Sequence, residues 1–289
     1  MKILLSLLLA LTMTSITAAI AKAPVWKVSK GDDYLYLGGT IHVLSKNDYP
    51  LPQAFEIAYN RVDGIVLETD AAALVAPEVQ GRILNVMSYQ DHRALSNVLD
   101  RDTYSQLDQL LKSKGIPIAV FDRFTPAGAI MALTQFELQK LGFIGDNGVD
   151  AHFGARAMID KKESLFLESF EQQLSFIQSM NQLEPNLLIK SGINDIEQLE
   201  TVWAELLSAW RNGDLDQLEK IGIVDMKRDF PTLYQTILVK RNDQWFDEIK
   251  AMILSEDKEF ILVGALHMAG SDGLITRLKA AGYTVSQLD

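Results

Sequence analysis

Two segments at opposite ends of the chain, YLYLGGTIHVL (residues 34–44) and EFILVGALHMAG (residues 259–270), most restrict what it can become. Each is an apolar or alternating run, as a strand would be, that meets a glycine and, three residues later, a histidine: Gly39 with His42, and Gly264 with His267. Only four histidines exist, so half of them share one local context. In α/β sheets, side chains leaving the carboxyl ends of strands project into the crevice above the sheet. Glycine there lets the backbone turn sharply, with no Cβ in the way of a bound group. Two histidines delivered this way on neighbouring strands could face each other, which suits a divalent metal or acid–base work. The plainer alternative is that each ring satisfies buried backbone groups at a turn.

The remaining pattern supports such a sheet. Residues 25–29 and 34–37 alternate around a turn at 30–33 and read as a β-hairpin. Short apolar runs at 64–68, 164–167, 260–263 and 283–286 read as further strands. Helices are expected after Pro50 and Pro52, over 77–114 as one amphipathic stretch, and over 126–141, 148–160 and 168–180. Others are expected over 194–210, 214–221, 231–253 and 273–281. Strands and helices alternate at both ends, around a helix-rich middle. The expected fold is α/β: a central mixed β-sheet flanked by helices, with a helix-rich middle insertion.

Residues 1–21 begin Met-Lys, continue as an apolar run too short to span a bilayer comfortably, and end on Ala19-Ile20-Ala21. They read as a secretory signal cleaved after Ala21, which makes the mature protein periplasmic or secreted. One domain over 22–289 is expected. The absence of cysteine excludes a lipid-attachment cysteine, a disulfide framework and thiol chemistry. A formal net charge of −11 argues against nucleic acid as a partner and against a peripheral seat on anionic lipid. No later run is long and apolar enough for a transmembrane helix, so no stable membrane anchor is expected after cleavage.

Several other residues carry candidate chemistry. Glu68 ends the strand GIVLE and can reach the crevice of the two histidines, and two histidines with one carboxylate form a recurring metal-ligand set. His152, in GVDAHF, is a candidate ligand, base or core residue, and Asp150 beside it reads as a helix cap. Glu168, at the start of LESFEQQL, could hydrogen-bond a ligand histidine or simply favour the start of a helix. Arg241, in VKRNDQW, could bind a carboxylate or phosphate, or belong to a solvated helix face with Trp245 in the core. His92 lies in a polar stretch and receives no role. The serine-hydrolase elbow, HExxH, Walker A and dinucleotide-binding patterns are absent.

These motifs in order resemble the TraB/PrgY/GumN family, which is related to the Tiki secreted metalloproteases. The likeness runs through LGGTIH, VLETD, GVDAHF, LESFEQQ, KRNDQW and the second GxxH with MAGSDGLITRLKAAGY. A similar strand-and-histidine arrangement occurs in erythromycin-esterase-like hydrolases and haem-binding ChaN-like proteins. The resemblance implies a peptidase-like hydrolase holding a divalent ion (manganese, cobalt or zinc) with His42 and His267. Glu68 would be a third ligand or the base, and Arg241 and Asn242 would orient the scissile group or stabilise developing negative charge. The expected partner is a peptide or small-molecule substrate. A binding protein for a small ligand, peptide or haem, and a metal-free hydrolase with His42 and Glu68 as the working pair, are the alternatives.

Overall fold

The computed structural model describes residues 22–70, 73 and 76–289. The expected secretory signal, residues 1–21, lies outside the described residues.

Six strands, β1 (Val25–Lys30), β2 (Asp33–Thr40), β3 (Gly64–Leu67), β4 (Glu163–Phe166), β5 (Glu259–Gly264) and β6 (Thr284–Gln287), form one sheet in the order β4-β3-β5-β2-β1-β6. The four strands from β4 to β2 run parallel. The hairpin makes β1 antiparallel to β2, and β6 pairs antiparallel with β1. The sheet is therefore mixed and flanked by helices, as the alternating pattern predicts.

Strand β5 lies in the middle and is almost wholly buried, which is why it reads as an unbroken apolar run rather than an alternation. Its neighbouring side chains face opposite ways. Phe260 and Leu262 join Tyr36, Ile65 and Leu67 on one face, under Phe55, Phe153 and Trp210 from the helices Gln53–Tyr59, Val149–Asp160 and Leu199–Arg211. Ile261 and Val263 join Leu35, Leu37 and Val66 on the other, under Trp245 and Ile249 from Lys240–Ile253 and Leu274 and Leu278 from Leu274–Ala280. The helix-rich middle has its own core. Leu107, Leu111, Leu133, Ile189 and Ile196 cluster where Pro185–Glu197 packs on Arg101–Ser113 and Pro126–Lys140.

Some boundaries differ from the sequence pattern. The stretch 77–114 is three helices, Pro77–Val86, Leu95–Val98 and Arg101–Ser113. The polar segment between the first two pairs its backbone with another loop instead, with Tyr89 N–H donating to Arg123 O and Ser88 bridged to Phe124. Asp100 caps the third by accepting from the Thr103 N–H. The helix expected over 194–210 is two, Pro185–Glu197 and Leu199–Arg211, the first capped by Glu184. The stretch 231–253 is helical throughout but contains a π-helical turn at Gln235–Val239, immediately before Arg241.

The Gly38-Gly39 pair is not a turn. Both residues lie inside β2, and neither has a positive φ. Gly38 is there because a Cβ would sit 2.8 Å from the Phe260 and Leu262 side chains, so the close approach of the packing, not backbone freedom, requires it.

Candidate active site

The parallel register brings four strand ends to one edge of the sheet. Thr40 pairs with Gly264, and Leu67 pairs with Leu262 on one side and Phe166 on the other. His42 therefore emerges two residues past β2, Glu68 directly past β3, Glu168 two past β4, and His267 from the short 3-10 turn Ala265–Met268 that follows β5. The β3–β4 ladder continues beyond the strands through Glu168 N–H to Glu68 O at 2.8 Å, which holds these two carboxylates side by side.

Gly264 is the point of convergence. A Cβ there would lie 3.3 Å from Glu68 Oε1 and 3.6 Å from both His42 Nε2 and the His267 ring. Its N–H donates to Glu68 Oε1 at 2.6 Å.

Arg241 is the hub on the helix side. It is the second residue of Lys240–Ile253, just past the π-helical turn, a feature that commonly marks functional positions. Nε and Nη2 make a bidentate pair with Glu168, both at 2.8 Å, and Nη2 also reaches Glu68 Oε2 at 2.5 Å. Nη1 lies 3.1 Å from His267 Nε2 and donates to Ile237 O at 3.4 Å. The guanidinium is further packed between the Trp245 and Phe176 rings, at 4.7 and 5.0 Å. All three of its nitrogens are thus engaged by the protein.

Asn242, the next residue, fixes His267. Its Oδ1 lies 2.7 Å from His267 Nδ1, and its amide donates to His267 O and Asp272 O. An amide oxygen can only accept, so Nδ1 carries the proton and Nε2 presents its lone pair to Arg241. Burial holds the His267 pKa down at about 3, so the ring is neutral. Burial by itself pushes the Glu68 carboxyl up, but the Arg241 charge, the His267 and His42 rings and the Gly264 N–H together outweigh it and leave the pKa at about 2. Glu168 moves the other way: burial raises it, against its pairing with Arg241, and Gln173 Nε2 donates to it at 2.6 Å.

His42 stands apart from this cluster. Its Nδ1 lies 2.8 Å from Asp150 Oδ2, while Thr40 Oγ1 donates to Asp150 Oδ1 at 2.8 Å. Asp150 is therefore not the expected helix cap; its carboxylate turns back to the strand end. The close approach depends on Gly148, where a Cβ would fall 2.2 Å from His42 O, and on the bond from Val149 N–H to Ile41 O. Asp150's charge raises the His42 pKa to about 9, although 62% of the side chain remains exposed to solvent.

Of the residues singled out in the sequence, the fold gathers His42, Glu68, Glu168, Arg241, Asn242 and His267. It leaves out His152, which packs against Tyr49 and Phe153 and does not line the crevice. Asp150 is the contact of His42 that sequence reasoning underrated. Its signal was a glycine two residues before it in GVDAHF, since a helix start that must lie flush against another chain segment needs that glycine.

The donor set does not fit a divalent ion as it stands. His267 Nε2 and Glu68 Oε2 face a guanidinium, and Glu68 Oε1 accepts from the Gly264 N–H, so only His42 Nε2 is left open. Among the described residues, no group of three or more histidine, aspartate or glutamate side chains has the geometry to hold a metal ion.

The sequence profile of the TraB/PrgY/gumN family matches residues 24–287. The chain is also similar to uncharacterized protein YbaP of Escherichia coli (strain K12), 23% identical over 253 residues, covering 86% of this chain and 89% of that protein. The YbaP protein of Shigella flexneri matches with the same identity and coverage. No solved structure matches.

Proposed function

The chain belongs to the TraB/PrgY/gumN family, and from that premise we propose that it is a hydrolase of peptide, ester or amide bonds in which the Asp150–His42 pair moves the proton. It acts outside the cytoplasm, where its apolar leader would direct it. The observation that carries this reading is the pair itself: Nδ1 anchored on a carboxylate, with Nε2 open at the convergence point of the strand ends. A histidine oriented by a carboxylate is a recurrent acid–base device.

In this reading neutral His42 takes a proton from the attacking water at Nε2 and returns it to the departing oxygen or nitrogen. Asp150 steadies the imidazolium that forms, and the Glu68 charge does the same from the other side. Because His42 titrates near 9, its base form is only about one part in a hundred at neutral pH, so the rate should climb with pH. Arg241 serves by fixing Glu68, Glu168 and His267 rather than by meeting substrate, and Asn242 by holding the His267 ring.

A second reading has one observation in its favour. His42, Glu68 and His267 surround a single point at Gly264, and a divalent ion (manganese, cobalt or zinc) would occupy it if Arg241 gave way. The test is turnover of activated esters and anilides by the wild type, His42→Ala and Asp150→Asn. Loss of about a hundredfold or more in His42→Ala, with a lesser loss in Asp150→Asn, supports the proton-transfer reading. Equal turnover in all three, or none in any, sinks it.

A further inference from the structure

The crevice that opens from His42 has about 340 Å³ of space, at the small end for ligand sites. Its polar groups gather at one end, around His42, Glu68, Arg241 and His267, and all but His42 Nε2 are engaged with one another or with the backbone. The rest of the wall is hydrocarbon and indole. Val43, Trp203, Leu206, Met226, Ile237 and Leu266 line it, each only half-buried. Half-exposed apolar side chains gathered on one concave surface, continuous with a candidate reaction centre, are what an apolar ligand would cover. Ile237 and Arg241 stand four residues apart on one helical face, so the apolar wall runs directly into the charged end.

Resting on the hydrolase reading above, we propose that the substrate is an uncharged ester or amide whose acyl part is an unbranched hydrocarbon chain of medium length, seated against these six side chains. A peptide would bring an N–H and a C=O at every residue, each needing a partner that an apolar wall does not supply. A hydrocarbon chain brings none. Charge selects in the same direction. The carboxylates of Asp150, Glu68 and Glu168 outnumber the cationic groups of His42 and Arg241, so an anionic acyl group is disfavoured. The reaction adds water across the acyl carbon and breaks the bond to the leaving oxygen or nitrogen. The water's proton travels through His42 Nε2 to the alcohol or amine. The second product is the carboxylic acid, which releases the water's other proton to solvent and becomes a carboxylate, whose new charge the acidic end of the crevice repels.

The test has two arms on the full mature protein. The first measures kcat/KM for p-nitrophenyl acetate, butyrate, hexanoate and octanoate. The expected result is a rise of roughly threefold per methylene until the crevice is full. The second measures binding of methyl heptyl ketone, which has the carbonyl and chain but no leaving group, by quenching of tryptophan fluorescence, beside acetone and octanoate. The long ketone should bind, and octanoate should bind about tenfold more weakly or worse. Leu206→Glu and Met226→Glu, checked for folding by circular dichroism, should each lower the octanoyl-to-acetyl ratio about tenfold. Ester turnover without chain-length preference and without ketone binding overturns the substrate class and leaves the hydrolase reading standing. Ketone binding without turnover of any ester keeps the ligand class and removes the hydrolase. A ratio that both glutamate variants leave unchanged overturns the assignment of this wall.

Discussion

Replacing Arg241 with methionine removes the cation between two buried carboxylates. Glu68 and Glu168 have side chains that are 9% and 0% exposed, and Arg241 is 10% exposed. Breaking a buried ion pair from one side costs about 3–5 kcal/mol, because the remaining charge is left without compensation. At about 2 °C per kcal/mol for a chain of this size, the melting temperature should fall by about 6–10 °C. Removing the carboxylate charges as well, with Glu68→Gln and Glu168→Gln, should recover at least half of the loss, since an uncharged cluster owes no such penalty. The sign of the pH dependence follows from Glu68. Its folded pKa, about 2, lies below its ordinary value of 4.5, so its contribution is intact above about pH 4.5 and disappears as pH falls through about 2. In Arg241→Met the orphaned carboxylates hold protons more readily, so the gap between wild type and variant should narrow below about pH 4. Thermal and urea melts followed by circular dichroism at several pH values measure all of this. A single variant that loses less than about 1 kcal/mol, or a triple variant less stable than the single, would refute the picture of a buried cluster held by Arg241.

Three further outcomes are expected. In Asp150→Asn the His42 pKa, read from ring proton shifts by NMR, should drop from about 9 toward its ordinary 6.5. The stabilisation from this pair is therefore fully present below about pH 6.5 and lost as pH rises through about 9, so the variant should differ least from wild type at alkaline pH. Gly148→Ala puts a methyl group 2.2 Å from His42 O, and should lower stability by about 1–3 kcal/mol while separating His42 from Asp150, seen as the same downward pKa shift. Asn242→Leu removes the acceptor at His267 Nδ1 and leaves buried donors and acceptors unpaired, costing about 1–3 kcal/mol. The ring nitrogen shifts of His267 should report a proton on Nδ1 in wild type, lose that preference in Asn242→Leu, and regain part of it in Asn242→Asp, which keeps an acceptor at that position.

The sheet was legible because its central strands are buried on both faces. A run such as FILVG, residues 260–264, is too short for a helix of its own and too apolar for a surface strand, and the GxxH repeats identified which strand ends would matter. Helix boundaries in the middle were not legible. The polar stretch 88–94 belongs to a loop that finds its backbone partners at Arg123 and Phe124, far away in sequence, and local periodicity carries no trace of that pairing. The glycines misled in a useful way. Gly38 and Gly39 suggested a turn, but they are small because neighbouring strands and Ala265 leave no room for a side chain. The site was legible as a set of residues and not as a set of contacts. Strand-end position pointed to His42, Glu68 and His267, Arg241 was a candidate anion binder and Asn242 entered only through the family resemblance, but only the fold reveals that Arg241 faces inward to the carboxylates. Asp150 looked like an ordinary first-turn acid, and the three-dimensional return of its helix to the end of β2 makes it the partner of His42.

The most direct measurement is ester and amide turnover by the purified protein after exhaustive chelation, with metal content determined on the same samples of wild type and the His42→Ala, His267→Ala double variant. Proton transfer through Asp150 and His42 predicts activity that survives chelation, carries no stoichiometric metal, and climbs with pH toward about 9. Activity that vanishes on chelation and returns with manganese, cobalt or zinc, alongside near-stoichiometric metal absent from the double variant, would contradict it and install the ion in place of the guanidinium.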